Sequence, residues 1–319
     1  MIRLSSTTFS RGQCQAIGPR SPEQITAMDD LQTRRFQYCL TSLLHRSRRL
    51  SSISNGIFIQ PWLDMPCCLH GGHSMNLIGK RALVTGGSRG IGAAIAQALA
   101  ADGADVAITY RRSAEQAEHI VASMEKMGRR SLAIQADSAD PEAIQRAVRE
   151  IVDTLGGLDI LVNSAAIGLV GPVAQVDLAE FQAMMDVNVR GPFVAAQAAI
   201  PHLSEGGRII SIGSALAERV PFPGITAYAM SKSALLSFTR GLSRELGPQG
   251  ITVNLVLPGS TDTEANPANG ESADFQRGLT SIGRYAEPRE IASAVVFLAS
   301  PAANMVTGIS LTVDGGANA

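Results

Sequence analysis

Ser214, Tyr228 and Lys232 are the residues whose types and spacing point to chemistry. Tyr228 and Lys232 are four apart, so on a helix they share one face. A free phenol has a pKa near about 10 and exchanges protons poorly at neutral pH. An ammonium roughly 5–6 Å away, at an effective dielectric of ~20, is worth about 3 kcal/mol. That attraction would bring Tyr228 to near ~8, where it can trade a proton with a substrate oxygen. The Ser214 hydroxyl, fourteen residues before the tyrosine, would hydrogen-bond the same oxygen and polarise a carbonyl. A Tyr-x-x-x-Lys spacing also occurs at ordinary helix starts, so its setting has to decide.

The elements around the trio fit that chemistry. Arg208–Ile212 (RIISI) is an apolar, β-branched run that reads as a buried strand, and Ser214 sits where it ends. Tyr228 opens a helix that continues as SALLSFTRGLSREL. Upstream, the apolar run Lys80–Thr85 breaks at Gly86-Gly87-Ser88-Arg89-Gly90-Ile91-Gly92, and an Ala-rich helix follows until Gly103. Strand, glycine turn and helix together form a phosphate-cradling unit, in which backbone N–H groups and the helix N-terminus approach a pyrophosphate. The order is Gly-x-x-x-Gly-x-Gly and not Gly-x-Gly-x-x-Gly, so its flanking elements carry the argument.

Strands and helices then alternate to the end of the chain. Strands are expected at 105–110, 131–136, 158–162, 208–212, 252–257 and 309–313, and helices at 113–127, 141–155, 178–202, 227–247 and 288–299. A loop is expected from Pro258 to about Thr280. This alternation predicts the α/β class, with a single-domain, doubly wound parallel sheet over residues 75–319.

Composition sets the limits. With 319 residues, 45% hydrophobic and 17% charged, the chain has ample material for a core. A net charge of −1 gives no basic field for nucleic acid, and no apolar run reaches the ~18–20 residues of a membrane helix. Residues 75–319 contain no cysteine, which excludes a disulfide framework there. Residues 1–74 hold all four cysteines, eight arginines, no lysine and four acidic residues, with no sustained periodicity. They read as an unstructured or mis-assigned extension. The readings are an organelle leader, a twin-arginine signal at Arg48-Arg49, or a start codon placed too far upstream of Met75, and the last is preferred. Cys67, Cys68, His70 and His73 fit no zinc spacing, so no metal is expected. The expected location is the cytoplasm.

Four motifs in order give the chain a resemblance over residues 76–319: TGGSRGIG (85–92), NSAA (163–166), Ser214 with Tyr228-Ala-Met-Ser-Lys232, and LPGSTDT (257–263). Together they resemble the classical short-chain dehydrogenase/reductase family, and most of all its 3-oxoacyl-thioester and carbonyl reductases. The resemblance implies a seven-stranded parallel sheet with helices on both faces. It implies that Tyr228 is the acid/base, that Ser214 polarises the carbonyl, and that Lys232 tunes the tyrosine and bonds the nicotinamide ribose. Asn188, in the family-like NVRG, would hold a water that relays protons to Lys232. Ser211, seventeen residues before Tyr228, is the weaker serine.

The same resemblance assigns a nucleotide site. Gly86, Ser88, Arg89, Gly90, Ile91 and Gly92 would form the pyrophosphate turn, with Tyr110 and Arg111 at the end of the second strand. No acid stands at that strand end, where NAD-binding members carry one, so Arg89 and Arg111 favour the 2′-phosphate of NADP(H). Arg112 reads equally well as a solvated strand end. Asp137 and Ser138 resemble the adenine contacts, Asn163 and Ala165 the strand-end contacts, and Pro258, Gly259, Thr261 and Thr263 the carboxamide contacts. Two departures stand out: NSAA replaces the commoner NNAG, and Thr261 takes a position that is usually apolar.

Substrate choice is expected in the loops 215–226 and 262–280, the second reading as a lid that orders on binding. The expected partner is a small carbonyl or alcohol, with no nucleic acid and no membrane. The family implies a homotetramer built on helices 178–202 and 227–247 and the last strand. A different class is an alternative: TDTEANPANG resembles a biofilm-dispersal branch associated with a cyclic dinucleotide, which would make the chain a nucleotide-binding regulator.

Overall fold

The computed structural model describes residues 75–319; the readings made for residues 1–74 lie outside the described residues. The chain divides into two units at His70/Gly71, and all described residues belong to the second.

Seven strands form one parallel sheet in the order β3-β2-β1-β4-β5-β6-β7. They are β1 (Arg81–Thr85), β2 (Asp105–Tyr110), β3 (Ser131–Gln135), β4 (Ile160–Asn163), β5 (Arg208–Ile212), β6 (Thr252–Pro258) and β7 (Ser310–Val313). The central strands are apolar along nearly their whole length because both faces are covered: every residue of β4, β5 and β6 is buried. Helices α1 (Gly90–Ala101), α2 (Ala114–Lys126) and α8 (Pro288–Ala299) pack on one face through Leu99, Met124 and Val295. Helices α3 (Pro141–Leu155), α5 (Gly191–Ala199) and α6 (Thr226–Leu246) cover the other through Ile151, Ala195 and Leu242. Leu99 is fully buried, so truncation to Ala would cost about 2–5 kcal/mol.

Local chemistry sets the helix ends. Asp140 caps α3 by accepting from the Glu142 and Ala143 amides, Pro141 supplies a preset first turn, and Gly156 ends the helix at φ +81°. Glu287 and Glu290 form a reciprocal capping box at α8. Arg284 grips the Glu290 carboxylate from outside and holds it well down, to about 2.

Two stretches differ from the sequence reading. The expected single helix 178–202 is α4 (Leu178–Met185), a π-turn (Asp186–Arg190), α5, and a 3₁₀ turn at Ile200–His202. The expected loop after Pro258 contains a short helix, α7 (Ala273–Gly278). Strand and helix limits elsewhere shift by one or two residues.

Strand order reverses direction between β1 and β4, and their C-terminal ends make the crevice where such sheets bind ligands. Register fixes what meets there. Thr85 pairs with Asn163, and Asn163 with Ser211. The glycine turn, the NSAA segment and the strand leading to Ser214 are thereby set side by side.

Candidate active site

β5 delivers Ser214 in extended conformation just past its end, and α6 brings Tyr228 and Lys232 on its first turns. The Ser214 side chain acts on the Tyr228 phenol, favouring its ionised form. Ser214 Oγ also accepts from the Leu216 amide at 3.2 Å, which fixes its rotamer. Lys232 is 3% exposed, donates from Nζ to the Ile212 carbonyl at 3.0 Å, and lies 5.9 Å from the Tyr228 ring centroid. The last strand residue before the site thus holds the lysine under the tyrosine.

Burial decides the titration of both. Desolvation pushes the Tyr228 phenol above its ordinary value, and the influence of Ser214 works against it without winning. Desolvation lowers Lys232 from 10.5 to about 8. This corrects the expectation of a phenol near ~8. That reckoning counted the attraction to an ammonium and left out removal of the phenolate from water, which opposes it.

Asn188 lies in the π-turn and is 1% exposed. Its Oδ1 accepts from the Ile167 amide and its Nδ2 donates to the Ile167 carbonyl, both at 2.9 Å. Nδ2 also donates to Ser231 Oγ at 3.0 Å, and Ser231 donates onward to the Tyr228 carbonyl at 2.7 Å. Ser231, fully buried between the two key residues, was not singled out from sequence. Its place in Tyr-Ala-Met-Ser-Lys, three after the tyrosine, was the available signal.

The glycine turn forms a cradle that side chains would fill. A Cβ on Gly86, which has φ +67°, would lie 2.8 Å from Ala165 Cα. One on Gly92 would lie 2.3 Å from the Gly86 carbonyl oxygen. Two threonines missed from sequence hold these segments. Thr85 Oγ1 accepts from the Ser164 and Ala165 amides at 3.0 and 3.2 Å, and Thr109 Oγ1 accepts from the Gly86 amide at 3.3 Å. The departure from NNAG to NSAA therefore leaves the close approach of Ala165 to the turn intact. α1 begins beyond Arg89 with no acidic residue in its first turn and no side-chain cap. Its N-terminal amides are left for an anion, which fits a pyrophosphate.

The remaining expected contacts distribute around this cradle. Ser88 is buried, Ile91 packs against the core, and Arg89 is exposed, lining a cleft of about 510 Å³ with Glu115, His119 and Glu264. Tyr110 is half-buried at the end of β2 and Arg111 is exposed. Arg111 Nη1 stands 3.9 Å from the Asp137 carboxylate, so one expected nucleotide residue neighbours another. Asp137 also accepts from the Ala139 amide at 2.9 Å, and Ser138 packs its carbonyl against Gly191. Asn163 is buried; Nδ2 donates to Ser211 Oγ at 3.4 Å while Oδ1 has no partner among the described residues. Pro258 closes β6 beside Val313, and Gly259 sits against Asp314. Thr261 is buried, its hydroxyl satisfied by the Gly259 carbonyl at 3.1 Å, which is why a polar residue is tolerated there. The Thr263 methyl lies over Gly90, 3.4 Å from where a Cβ would be.

The two loops over the site meet through Phe222 and Phe275, edge to face with centroids 5.4 Å apart. Gln276 ties the second loop together: it accepts from Ser260 at 2.6 Å and exchanges bonds with Asn266 at 3.0 and 2.9 Å. Among the described residues no cluster of His, Cys, Asp or Glu could hold a metal ion, and no helix is long and apolar enough to cross a membrane.

Similarity to known proteins agrees with this geometry. The family described as Enoyl-(Acyl carrier protein) reductase matches residues 86–318. A short-chain dehydrogenase from Burkholderia cenocepacia, solved in complex with NADP, is 57% identical, with a TM-score of 0.76 over 76% of this chain and 100% of that one. The cyclic-di-GMP-binding biofilm dispersal mediator protein of Escherichia coli is 43% identical over 74% of this chain and 96% of its own length. A 3-oxoacyl-[acyl-carrier-protein] reductase of Staphylococcus aureus is 37% identical over 74% and 97%. With the sheet order, the glycine cradle and the Ser214–Tyr228–Lys232 arrangement in place, the chain belongs to the classical short-chain dehydrogenase/reductase family.

Proposed function

We propose that the protein is an NADP(H)-dependent oxidoreductase that interconverts a ketone and a secondary alcohol, of the 3-oxoacyl-thioester or small-carbonyl reductase type. The observation that carries this reading is the buried Lys232, held by the Ile212 carbonyl 5.9 Å from the Tyr228 ring, on the helix that follows Ser214.

NADP(H), when bound, supplies or accepts the hydride. Gly86, Ser88, Gly90, Ile91 and Gly92 would hold its pyrophosphate, Arg89, Tyr110 and Arg111 its adenosine phosphate end, and Asp137 and Ser138 its adenine. Asn163 and Ala165 would line the middle, and Pro258, Gly259, Thr261 and Thr263 the carboxamide. In reduction, Ser214 donates to the carbonyl oxygen and Tyr228 gives its proton to the same oxygen as it becomes a hydroxyl. The positive charge on Lys232 favours the phenolate left behind, and its value of about 8 keeps it mostly charged at neutral pH. Asn188, pinned to Ile167 and Ser231, would position a water for returning the proton. Neutral Tyr228 is the form that donates, and burial keeps it neutral.

The similarity to a 3-oxoacyl-[acyl-carrier-protein] reductase supports an oxoacyl thioester among the substrates. A homotetramer is supported by exposed Phe193, Met230 and Phe297 on α5, α6 and α8, apolar side chains that an interface would cover. A second reading, a cyclic-dinucleotide-binding regulator, is favoured by the 43% identity to the Escherichia coli dispersal mediator.

The test is NADPH or NADH oxidation against a panel of ketones that includes a 3-oxoacyl thioester. Turnover preferring NADPH supports the enzyme, and the best substrate names its class. NADPH binding without consumption of any carbonyl, together with saturable cyclic-di-GMP binding, would favour the regulator.

A further inference from the structure

We propose that Gln276 and Asn266 are positioning residues: their side chains clamp each other, hold Thr263 over the glycine turn, and so set the affinity for the nicotinamide half of NADP(H). That role rests on the NADP(H) reading above, in which Thr263 is a carboxamide contact. Gln276 and Asn266 are not themselves among the expected nucleotide contacts, and they act through Thr263.

Gln276 is half-buried on α7, and its carboxamide is fully engaged. Oε1 accepts from Ser260 Oγ at 2.6 Å and from Asn266 Nδ2 at 3.0 Å. Nε2 donates to Asn266 Oδ1 and to Ser272 Oγ, both at 2.9 Å. Two donors and two acceptor lone pairs are all that a carboxamide offers. The Gln276 and Asn266 amides therefore face each other as a reciprocal pair, donor to acceptor in both directions. Each fixes the orientation of the other.

Asn266 passes that order to Thr263. Its amide N–H donates to the Thr263 carbonyl at 3.0 Å and to Thr263 Oγ1 at 3.3 Å, and the Thr263 N–H donates back to the Asn266 carbonyl at 3.4 Å. The Thr263 methyl then lies over Gly90, 3.4 Å from where a Cβ would be. No hydrogen bond joins Thr263 to the glycine turn among the described residues, so its place there is set from its own loop. Asp262, Glu264, Ala265 and Pro267 around it are exposed. Burial therefore holds this segment only weakly, and the paired amides supply the restraint.

The experiment measures two dissociation constants on the full chain: NADPH by fluorescence, and adenosine 2′,5′-bisphosphate, which lacks the nicotinamide half, by calorimetry. Gln276→Leu and Asn266→Ala should each raise the Kd for NADPH about tenfold and leave that of the bisphosphate within about twofold. The double variant should weaken NADPH no further than the weaker-binding single one, because both substitutions break the same pair. Asp274→Ala, on the same helix with a side chain 94% exposed, should bind both ligands as wild type does. If Gln276→Leu fails to fold, Asn266→Ala in the loop carries the test. An unchanged Kd for NADPH, equal weakening of both ligands, or additive losses in the double variant overturns the clamp. Wild type that binds no NADPH overturns the NADP(H) reading itself, and the clamp's role with it.

Discussion

At Tyr228 and Lys232 the same burial acts on opposite charges, favouring the neutral phenol and the neutral amine. The lysine has a consequence for stability. Its folded value, about 8, lies below the 10.5 of a free side chain. Between those values the unfolded chain binds the proton that the folded chain has released, so stability rises with pH. The contribution is full above 10.5 and is lost as pH falls through about 8. Wild type should therefore gain on Lys232→Met by up to about 3 kcal/mol across this window, read from denaturant midpoints at both ends. Equal slopes in the two proteins would contradict the buried, depressed lysine. Tyr228 has the reverse sign, its neutral form contributing below 10 and losing ground above it. At the nucleotide end, Arg111→Asp should cut the preference for NADPH over NADH by about 10- to 100-fold in kcat/KM, and an unchanged ratio would remove Arg111 from phosphate binding. The identities and spacing of the trio were readable because they share one strand end and one helix turn. The direction of the Tyr228 shift was not, since desolvation depends on everything packed around the ring. Nor were the partners of Asn188, which come from two other elements.

Among the elements, glycine positions separate necessity from accident. Gly92 sits where a Cβ would lie 2.3 Å from the Gly86 carbonyl oxygen, and backbone on both sides limits relaxation. Gly92→Ala should cost about 1–3 kcal/mol in the melt and weaken NADPH binding seen by fluorescence. Gly241 lies on the exposed side of α6 with nothing within 4 Å of its would-be Cβ. Gly241→Ala should stabilise by about 0.5–1 kcal/mol and leave binding unchanged. If the two variants behaved alike, the cradle account would fail. Strands β4, β5 and β6 were legible because burial on both faces makes them continuous apolar runs. The π-turn at Asp186–Arg190 was not: Gly191 and Pro192 follow it directly but do not say which turn widens, and it forms where Asn188 is engaged by Ile167 and Ser231. Helix α7 was hidden for a related reason: six residues flanked by Gly and Ser read as loop, and side-chain bonds from Gln276 hold it in place.

For the whole molecule, the parallel sheet brings the site together at one edge. The C-terminal edge gathers the glycine cradle, Ser214 and Tyr228, and the strand order that puts the crevice between β1 and β4 is the common cause. Helices on the two faces leave Phe193 and Phe297 about half exposed, at 55% and 45%. Light scattering should return about four times the 33.5 kDa of one chain, and Phe193→Glu with Phe297→Glu should lower that mass. A monomer in wild type would leave those side chains without the role proposed for them. In the proposed reaction Tyr228 moves the proton while the cradle binds NADP(H) independently of it. Tyr228→Phe tests both halves at once, with NADPH binding followed by fluorescence and carbonyl reduction followed by absorbance. Unchanged binding and a fall in kcat of about 10²–10⁴-fold are expected. Turnover at the wild-type rate in Tyr228→Phe would contradict it.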